Sequence, residues 1–266
     1  MKYEFGFIGC GNMGGALARA VARRVAPKEI GLYDTDVQKA KQLCEELGAG
    51  YGESEKILAG ESRFLVLGVK PQVLPCVLRE LRDSLTPETV LISMAAGVSC
   101  AAIRAEIGEE NALIRIMPNL PVSLGEGIVL YTGQKLSSET EEAFCRAFSG
   151  AGLVDAIEES RMDAASALTG CGPAYVYIFA EALADAAVEC GLPRAAATAY
   201  AARTLCGAGR MIEAFGQPAT LKDAVCSAGG TTIAGVHALE HGGFRAAAMD
   251  AVTAAYRRTL ELAAKK

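Results

Sequence analysis

Tyr3-Glu4-Phe5-Gly6-Phe7-Ile8-Gly9-Cys10-Gly11-Asn12-Met13-Gly14 decides the fold of the first half of the chain. A short apolar run leads into glycines spaced G-x-G-x-x-G. An amphipathic stretch follows to about Arg24. The glycine spacing is generic, but a strand before it and a helix after it make the context that a dinucleotide-binding turn requires. Gly9 would make the tight turn, Gly11 would admit a pyrophosphate, and Gly14 would let helix and strand pack closely. The N–H groups at the helix start, with its partial positive charge, suit phosphate. Gly9, Cys10, Gly11, Asn12, Met13 and Gly14 are therefore candidate cofactor residues.

Asp34 follows the second apolar run, twenty residues after Gly14. A carboxylate there accepts the ribose hydroxyls of NAD and repels a 2′-phosphate. It could equally cap the next helix within the cluster Asp34-Thr35-Asp36. Both NADH and NADPH stay open, with NADH weakly preferred on account of Asp34.

Short apolar runs recur at 30–33, 64–69, 90–93, 113–116, 128–131 and 153–155, and helical patterns separate most of them. Such alternation predicts an α/β Rossmann-type domain with a parallel-rich sheet covered on both faces. The second half differs. Alanine fills 15 of the 39 residues from 164 to 202, which favours closely packed helices. Periodic segments at 174–190, 194–215, 231–241 and 244–264 complete an all-α region. The composition shifts near 157–163. We expect residues 1–159 to form a dinucleotide-binding domain and 160–266 an all-helical domain able to supply an oligomer interface.

Composition narrows the function. Of the 266 residues, 51% are hydrophobic and 21% charged, and the net charge is −5. Disorder is excluded, and no basic excess suggests nucleic acid or an anionic membrane. No apolar run reaches membrane length, and the first residues lack the pattern of a signal peptide. The nine cysteines never come closer than sixteen residues apart, so they read as free thiols in a reducing cytoplasm and not as a metal motif. His237 and His241 stand at i, i+4 without the glutamate of H-E-x-x-H, and no metal site is expected.

Two late glycine motifs open helices. Ser227-Ala228-Gly229-Gly230-Thr231-Thr232 offers a neutral cradle in which backbone N–H groups could hold a small carboxylate. An ordinary helix cap accounts for the same residues, and these residues alone favour it. Gly170-Cys171-Gly172-Pro173-Ala174-Tyr175 has proline where a first helical turn tolerates it. Dehydrogenases of the 3-hydroxyisobutyrate and 6-phosphogluconate type share the layout but place a catalytic lysine on the first long helix of the second domain. Here no lysine occurs between Lys135 and Lys222, which leaves a substrate alcohol without that base.

These motifs together resemble the pyrroline-5-carboxylate reductase family. The glycine loop, Gly68-Val69-Lys70-Pro71, Ala95-Ala96-Gly97, Met117-Pro118-Asn119-Leu120-Pro121, Gly170 to Tyr175 and Gly229-Gly230-Thr231-Thr232-Ile233 match in order, as do Leu239-Glu240, Gly242-Gly243-Phe244-Arg245 and Arg257-Arg258-Thr259. The resemblance implies an oxidoreductase that reduces the C=N bond of 1-pyrroline-5-carboxylate to proline with NADH or NADPH. It implies a homodimer through the helical domain, with higher oligomers built from dimers. It places Val69, Lys70, Pro71, Ala96, Gly97 and Asn119 at the cofactor. Ser227, Gly229, Gly230, Thr231 and Thr232 would hold the substrate, with Thr232 at the ring nitrogen as the catalytic hydrogen-bonding group. Cys171, Ala224, Ala228 and Glu55 depart from the usual family residues. A reductase for a related cyclic imine and a non-catalytic cofactor-binding regulator are the alternatives.

Overall fold

The computed structural model describes residues 1–264. Strands and helices alternate through the first part: β1 Tyr3–Ile8, α1 Asn12–Ala22, β2 Ile30–Tyr33, α2 Val37–Leu47, β3 Gly50–Tyr51, α3 Glu55–Glu61, β4 Ser62–Leu67 and α4 Leu74–Leu81. They continue as β5 Val90–Ser93, α5 Cys100–Ile107, β6 Ala112–Pro118, β7 Gly127–Gln134, α6 Ser138–Phe148, β8 Gly152–Ala156 and α7 Glu159–Thr169. Among the described residues the strands form one sheet in the order β3-β2-β1-β4-β5-β6-β7-β8. The chain winds outward from β1 through β2 and β3 and then from β4 the other way, so the switch point lies between β1 and β4.

Strand alternation builds a core on each face. Val90 and Ile92 of β5, with Ile114 and Ile116 of β6, pack on the side of α1, α2 and α6. Leu91 and Leu113 face the opposite way, toward α3, α4 and α5. Phe5 and Phe64 stack with centroids 4.7 Å apart, and Phe148 of α6 meets Phe5 edge-on at 6.1 Å. Burial on both faces is why the strands read as continuous apolar runs.

The sheet is not wholly parallel, because β7 runs antiparallel to β6. Only residues 119–126 join the two strands, too short a span for a crossover helix, so the chain must turn back. The two-residue β3 escaped the sequence reading, having no apolar run of its own.

The remaining helices are α8 Gly172–Glu189, α9 Arg194–Phe215, α10 Pro218–Ala224, α11 Thr231–His241 and α12 Phe244–Ala264. By contacts the chain divides into one unit of Met1–Gly170, joined by the residues from Tyr256 onward, and a second of Cys171–Ala255. Helix α7 thus groups with the sheet. Among the described residues of the second unit only alanines are buried, namely Ala184, Ala197 and Ala201 at the α8–α9 contact. Large apolar side chains stay exposed there, including Ile178, Tyr177 and Met249. No described helix is long and apolar enough to cross a membrane.

Candidate active site

The glycine loop joins the carboxyl end of β1 to α1, and each of its glycines has a separate physical reason. Gly9 sits at φ 101°, in the left-handed region, and a Cβ there would press on the Gly68 carbonyl. A Cβ on Gly14 would fall on the Gly9 carbonyl oxygen. Gly11 is different: a Cβ would meet open space. The first and third glycines are therefore demanded by the protein itself. The second keeps a cleft empty, as close approach of a pyrophosphate requires. No side chain caps α1, so its first N–H groups face that space without a side-chain acceptor. The loop's other residues are disposed as their types suggest. Cys10 is buried, its thiol pushed up to about 12 by burial and then by Asp34, while Met13 packs against the core and Asn12 is exposed.

A cleft of about 320 Å³ gathers Gly9, Gly11, Asp34, Glu55, Val69 and Lys70. Asp34 directly follows β2 and is half-buried. Its Oδ2 accepts from the Cys10 N–H at 2.7 Å, and its Oδ1 from the Asp36 N–H at 2.8 Å. It does not cap the next helix; Asp36 does, accepting from Lys39 N–H. Glu55 opens α3 on the same cleft. Burial, then the neighbouring Glu80 carboxyl, raises its pKa above the usual value. The cleft thus holds two acids and one ammonium. An open glycine wall beside a fixed carboxylate is the kind of lining a dinucleotide requires.

A second cleft, about 590 Å³, adjoins the same loop after β4 and is lined by Pro71, Gly97, Val98, Ser99, Arg115 and Asp163 among others. Gly97 takes φ 66°, which turns the chain sharply between β5 and α5. Ala96 is exposed beside it. Asn119, at the end of β6, is buried, and both ends of its amide serve the main chain. Oδ1 accepts from Ile128 N–H at 2.8 Å, and Nδ2 donates to the Thr169 carbonyl at 3.0 Å. The cofactor residues expected from sequence therefore converge on the carboxyl ends of β1, β2, β4, β5 and β6, where ligands of open α/β sheets bind.

In the second unit, Ser227 to Gly230 forms a tight turn, with Gly230 N–H donating to the Ser227 carbonyl at 3.0 Å and Gly229 at φ 67°. Gly230 is the N-cap of α11, and no side chain caps it. A Cβ on Gly230 would strike the Ser227 hydroxyl. The ordinary side-chain cap allowed by sequence is thus not what forms. Ser227, Gly229, Thr231 and Thr232 are exposed around the helix start. The start of an eleven-residue helix with no side-chain acceptor, beside three hydroxyls, is chemically suited to a carboxylate. Ala228 lies in the turn, Ala224 ends α10, and Cys171 precedes α8; all three are exposed.

One group escaped the sequence reading. Arg115 stands in the middle of β6, 4% exposed, and bonds Glu159 and Asp163 of α7 at 3.0 and 3.2 Å. The signal was present: an arginine inside the run Leu113-Ile114-Arg115-Ile116 must be buried and must find carboxylates.

A family model for pyrroline-5-carboxylate reductase dimerisation matches residues 159–262, and one for NADP oxidoreductase, coenzyme F420-dependent, matches 4–97. Pyrroline-5-carboxylate reductase 3 of Danio rerio is 42% identical, over 100% of this chain and 93% of its own. Pyrroline-5-carboxylate reductase of Escherichia coli K12 is 36% identical, over 98% and 99%. Among solved structures, the Plasmodium falciparum pyrroline carboxylate reductase with NADP bound superposes with TM-score 0.86 at 32% identity, over 97% and 98% of the two chains. The Coxiella burnetii pyrroline-5-carboxylate reductase gives 0.90 at 30%, over 98% and 99%.

Proposed function

The chain belongs to the pyrroline-5-carboxylate reductase family, and on that premise we propose how its own residues carry the family reaction. It is an oxidoreductase acting on a C=N bond, and it reduces 1-pyrroline-5-carboxylate to proline with NAD(P)H. A nicotinamide cofactor, when bound, supplies the hydride that the imine carbon receives. Gly9, Cys10, Gly11, Asn12, Met13 and Gly14 hold the pyrophosphate, and Asp34 holds the adenine ribose. Val69, Lys70, Pro71, Ala96 and Gly97 line the nicotinamide end, with Asn119 fixing the loop beside it.

Ser227, Gly229, Gly230 and Thr231 hold the substrate carboxylate on the start of α11. Thr232 hydrogen-bonds the ring nitrogen as it becomes an amine. A protonated imine is already the better acceptor, so no protein base has to remove a proton. The chain's contribution is orientation and charge matching. Our functional division is 1–159 for cofactor and 160–266 for substrate and dimerisation. The exposed apolar side chains of the second unit support self-association as a homodimer, with assembly of dimers beyond it. Nine unpaired thiols support a cytoplasmic location.

NADH is the proposed preferred cofactor, because Asp34 and Glu55 both face the cleft where a 2′-phosphate would add charge. The observation that carries the reading is the presence in one chain of a glycine-walled nucleotide cleft and a helix start capped only by glycine. The test is oxidation of NADH and of NADPH, followed separately, with 1-pyrroline-5-carboxylate. Turnover with both and a higher kcat/KM for NADH is expected. Cofactor binding without turnover would redirect the search to other cyclic imines.

A further inference from the structure

Helix α7 is tied at both ends to loops at the carboxyl edge of the sheet. At its start, Glu159 Oε1 accepts from the Cys100 N–H at 2.7 Å and from Arg115 Nη1 at 3.0 Å. At its end, the Thr169 carbonyl accepts from Asn119 Nδ2. Between them, Met162 is fully buried against Met117 and Leu130. Glu159 and Asp163 lie one turn apart, on the face that meets Arg115.

The Cys100 bond is the informative one. Cys100 opens α5, and its N–H is one of the orphan donors of a helix start. Ser99, the cap residue, is already used on the Ala102 N–H at 3.1 Å. The acceptor for Cys100 therefore comes from 59 residues away, not from the loop itself. That loop, 95–99, contains Ala96 and Gly97, and Gly97 holds a left-handed turn. The thiol adds no chemistry of its own: burial, then Glu159, pushes it up to about 12.

We propose that Glu159 is a positioning residue for the reaction: by holding the Cys100 N–H it sets the loop 95–99 against the nicotinamide. The proposal rests on the assignment of Ala96 and Gly97 to the cofactor. Arg115 fixes the Glu159 carboxylate in turn, and Asp163 holds the other arm of Arg115.

Steady-state kinetics and thermal melts of the intact protein separate these roles. Glu159→Ala is expected to lower kcat by roughly 30- to 100-fold, as small misplacements of reacting groups do, with the imine KM changed less than about threefold. Glu159→Gln keeps an acceptor oxygen for Cys100 and should recover most of that loss. Met162→Ala, which empties a buried contact of the same helix and leaves the Glu159–Cys100 bond in place, should lower the melting temperature at least as much as Glu159→Ala, yet keep kcat within about threefold of the parent. Gly97→Ala, forced into a left-handed turn, should resemble Glu159→Ala. A Gly97→Ala variant with parental kcat would refute the loop assignment itself. An impaired Gly97→Ala beside a normal Glu159→Ala would overturn only the role of Glu159, as would kcat losses that simply follow melting temperature in all variants. If Glu159→Ala does not fold, Glu159→Gln and Glu159→Asp carry the comparison. A kcat loss is then expected for the aspartate, whose shorter arm cannot reach Cys100, and equal activity of the two would overturn the proposal.

Discussion

The carboxylate of Asp34 accepts a 2.7 Å hydrogen bond from the main-chain N–H of Cys10. The acid at the end of β2 and the second residue of the glycine loop are thereby held as one unit. With Asp36 N–H on the other oxygen, the carboxylate is oriented before any ribose arrives. Asp34→Ser should raise the NADPH-to-NADH ratio of kcat/KM by about tenfold or more, because one repulsive charge disappears. A ratio that stays where it was would remove Asp34 from cofactor choice.

The three glycines of the loop are expected to respond differently to alanine. Gly14→Ala forces a methyl onto the Gly9 carbonyl and should cost about 1–3 kcal/mol of stability. Gly11→Ala meets no protein atom, so stability should stay within about 0.5 kcal/mol. Its methyl instead occupies cofactor space. Thermal melts and NADH fluorescence titration should show the first variant unstable and the second stable but weak in binding.

Thr232 is exposed near the start of α11 and does not cap it. Thr232→Ala should therefore leave the melting temperature nearly unchanged. A hydrogen bond formed as the ring nitrogen becomes an amine should appear mainly in kcat, at roughly 10- to 100-fold. NADH binding should change little. Parallel losses in kcat and NADH affinity would reduce Thr232 to a shaper of the helix start.

Acid should loosen the α7 tether. Burial opposes the charge on Glu159, but the Cys100 N–H and the Arg115 guanidinium outweigh it and hold its carboxyl below the usual 4.5. A lowered folded-state pKa gives stabilisation that is full above the unfolded value and fades as pH falls through the folded one. Glu159→Gln lacks this component. The melting-temperature gap between parent and Glu159→Gln should be widest near neutrality and should shrink below about pH 4.5.

Self-association should depend on the apolar helices. Ile178 of α8 is 67% exposed and borders a groove with Phe179 and Phe244, whose rings lie 5.2 Å apart. Ile178→Glu should shift the protein to a smaller species in light scattering at micromolar concentration. An unchanged mass would place the contact surface elsewhere.

The sequence made some features legible and hid others for physical reasons. Strands buried on both faces announce themselves, and β1, β2 and β5 coincide with the apolar runs at 3–8, 30–33 and 90–93. The helices α9, α11 and α12 were equally plain, bounded by proline, paired glycines or the Gly-Gly-Thr-Thr turn. The reversal at β7 was not visible, since direction follows from connection length and not from strand composition. The roles of Asp34 and Asp36 could not be separated by spacing, because either could cap α2. The loop glycines stand out by spacing, yet only packing tells that Gly9 and Gly14 are required by neighbouring backbone while Gly11 borders open space. Arg115 was legible as an oddity, while its partners, more than forty residues later in α7, were not.

Helix α7 falls inside the sequence span that matches the dimerisation model, 159–262, yet by contacts it groups with the sheet. The border by descent and the border by structure therefore differ by one helix. A recombinant that exchanges halves with a relative at 158/159 pairs one parent's Arg115 with the other's residues at 159 and 163. A crossover at 170/171 carries arginine, Glu159 and Asp163 across together. Chimeras cut at the later point keep their electrostatic lock whatever the second parent brings, which makes the end of α7 the natural seam for shuffling.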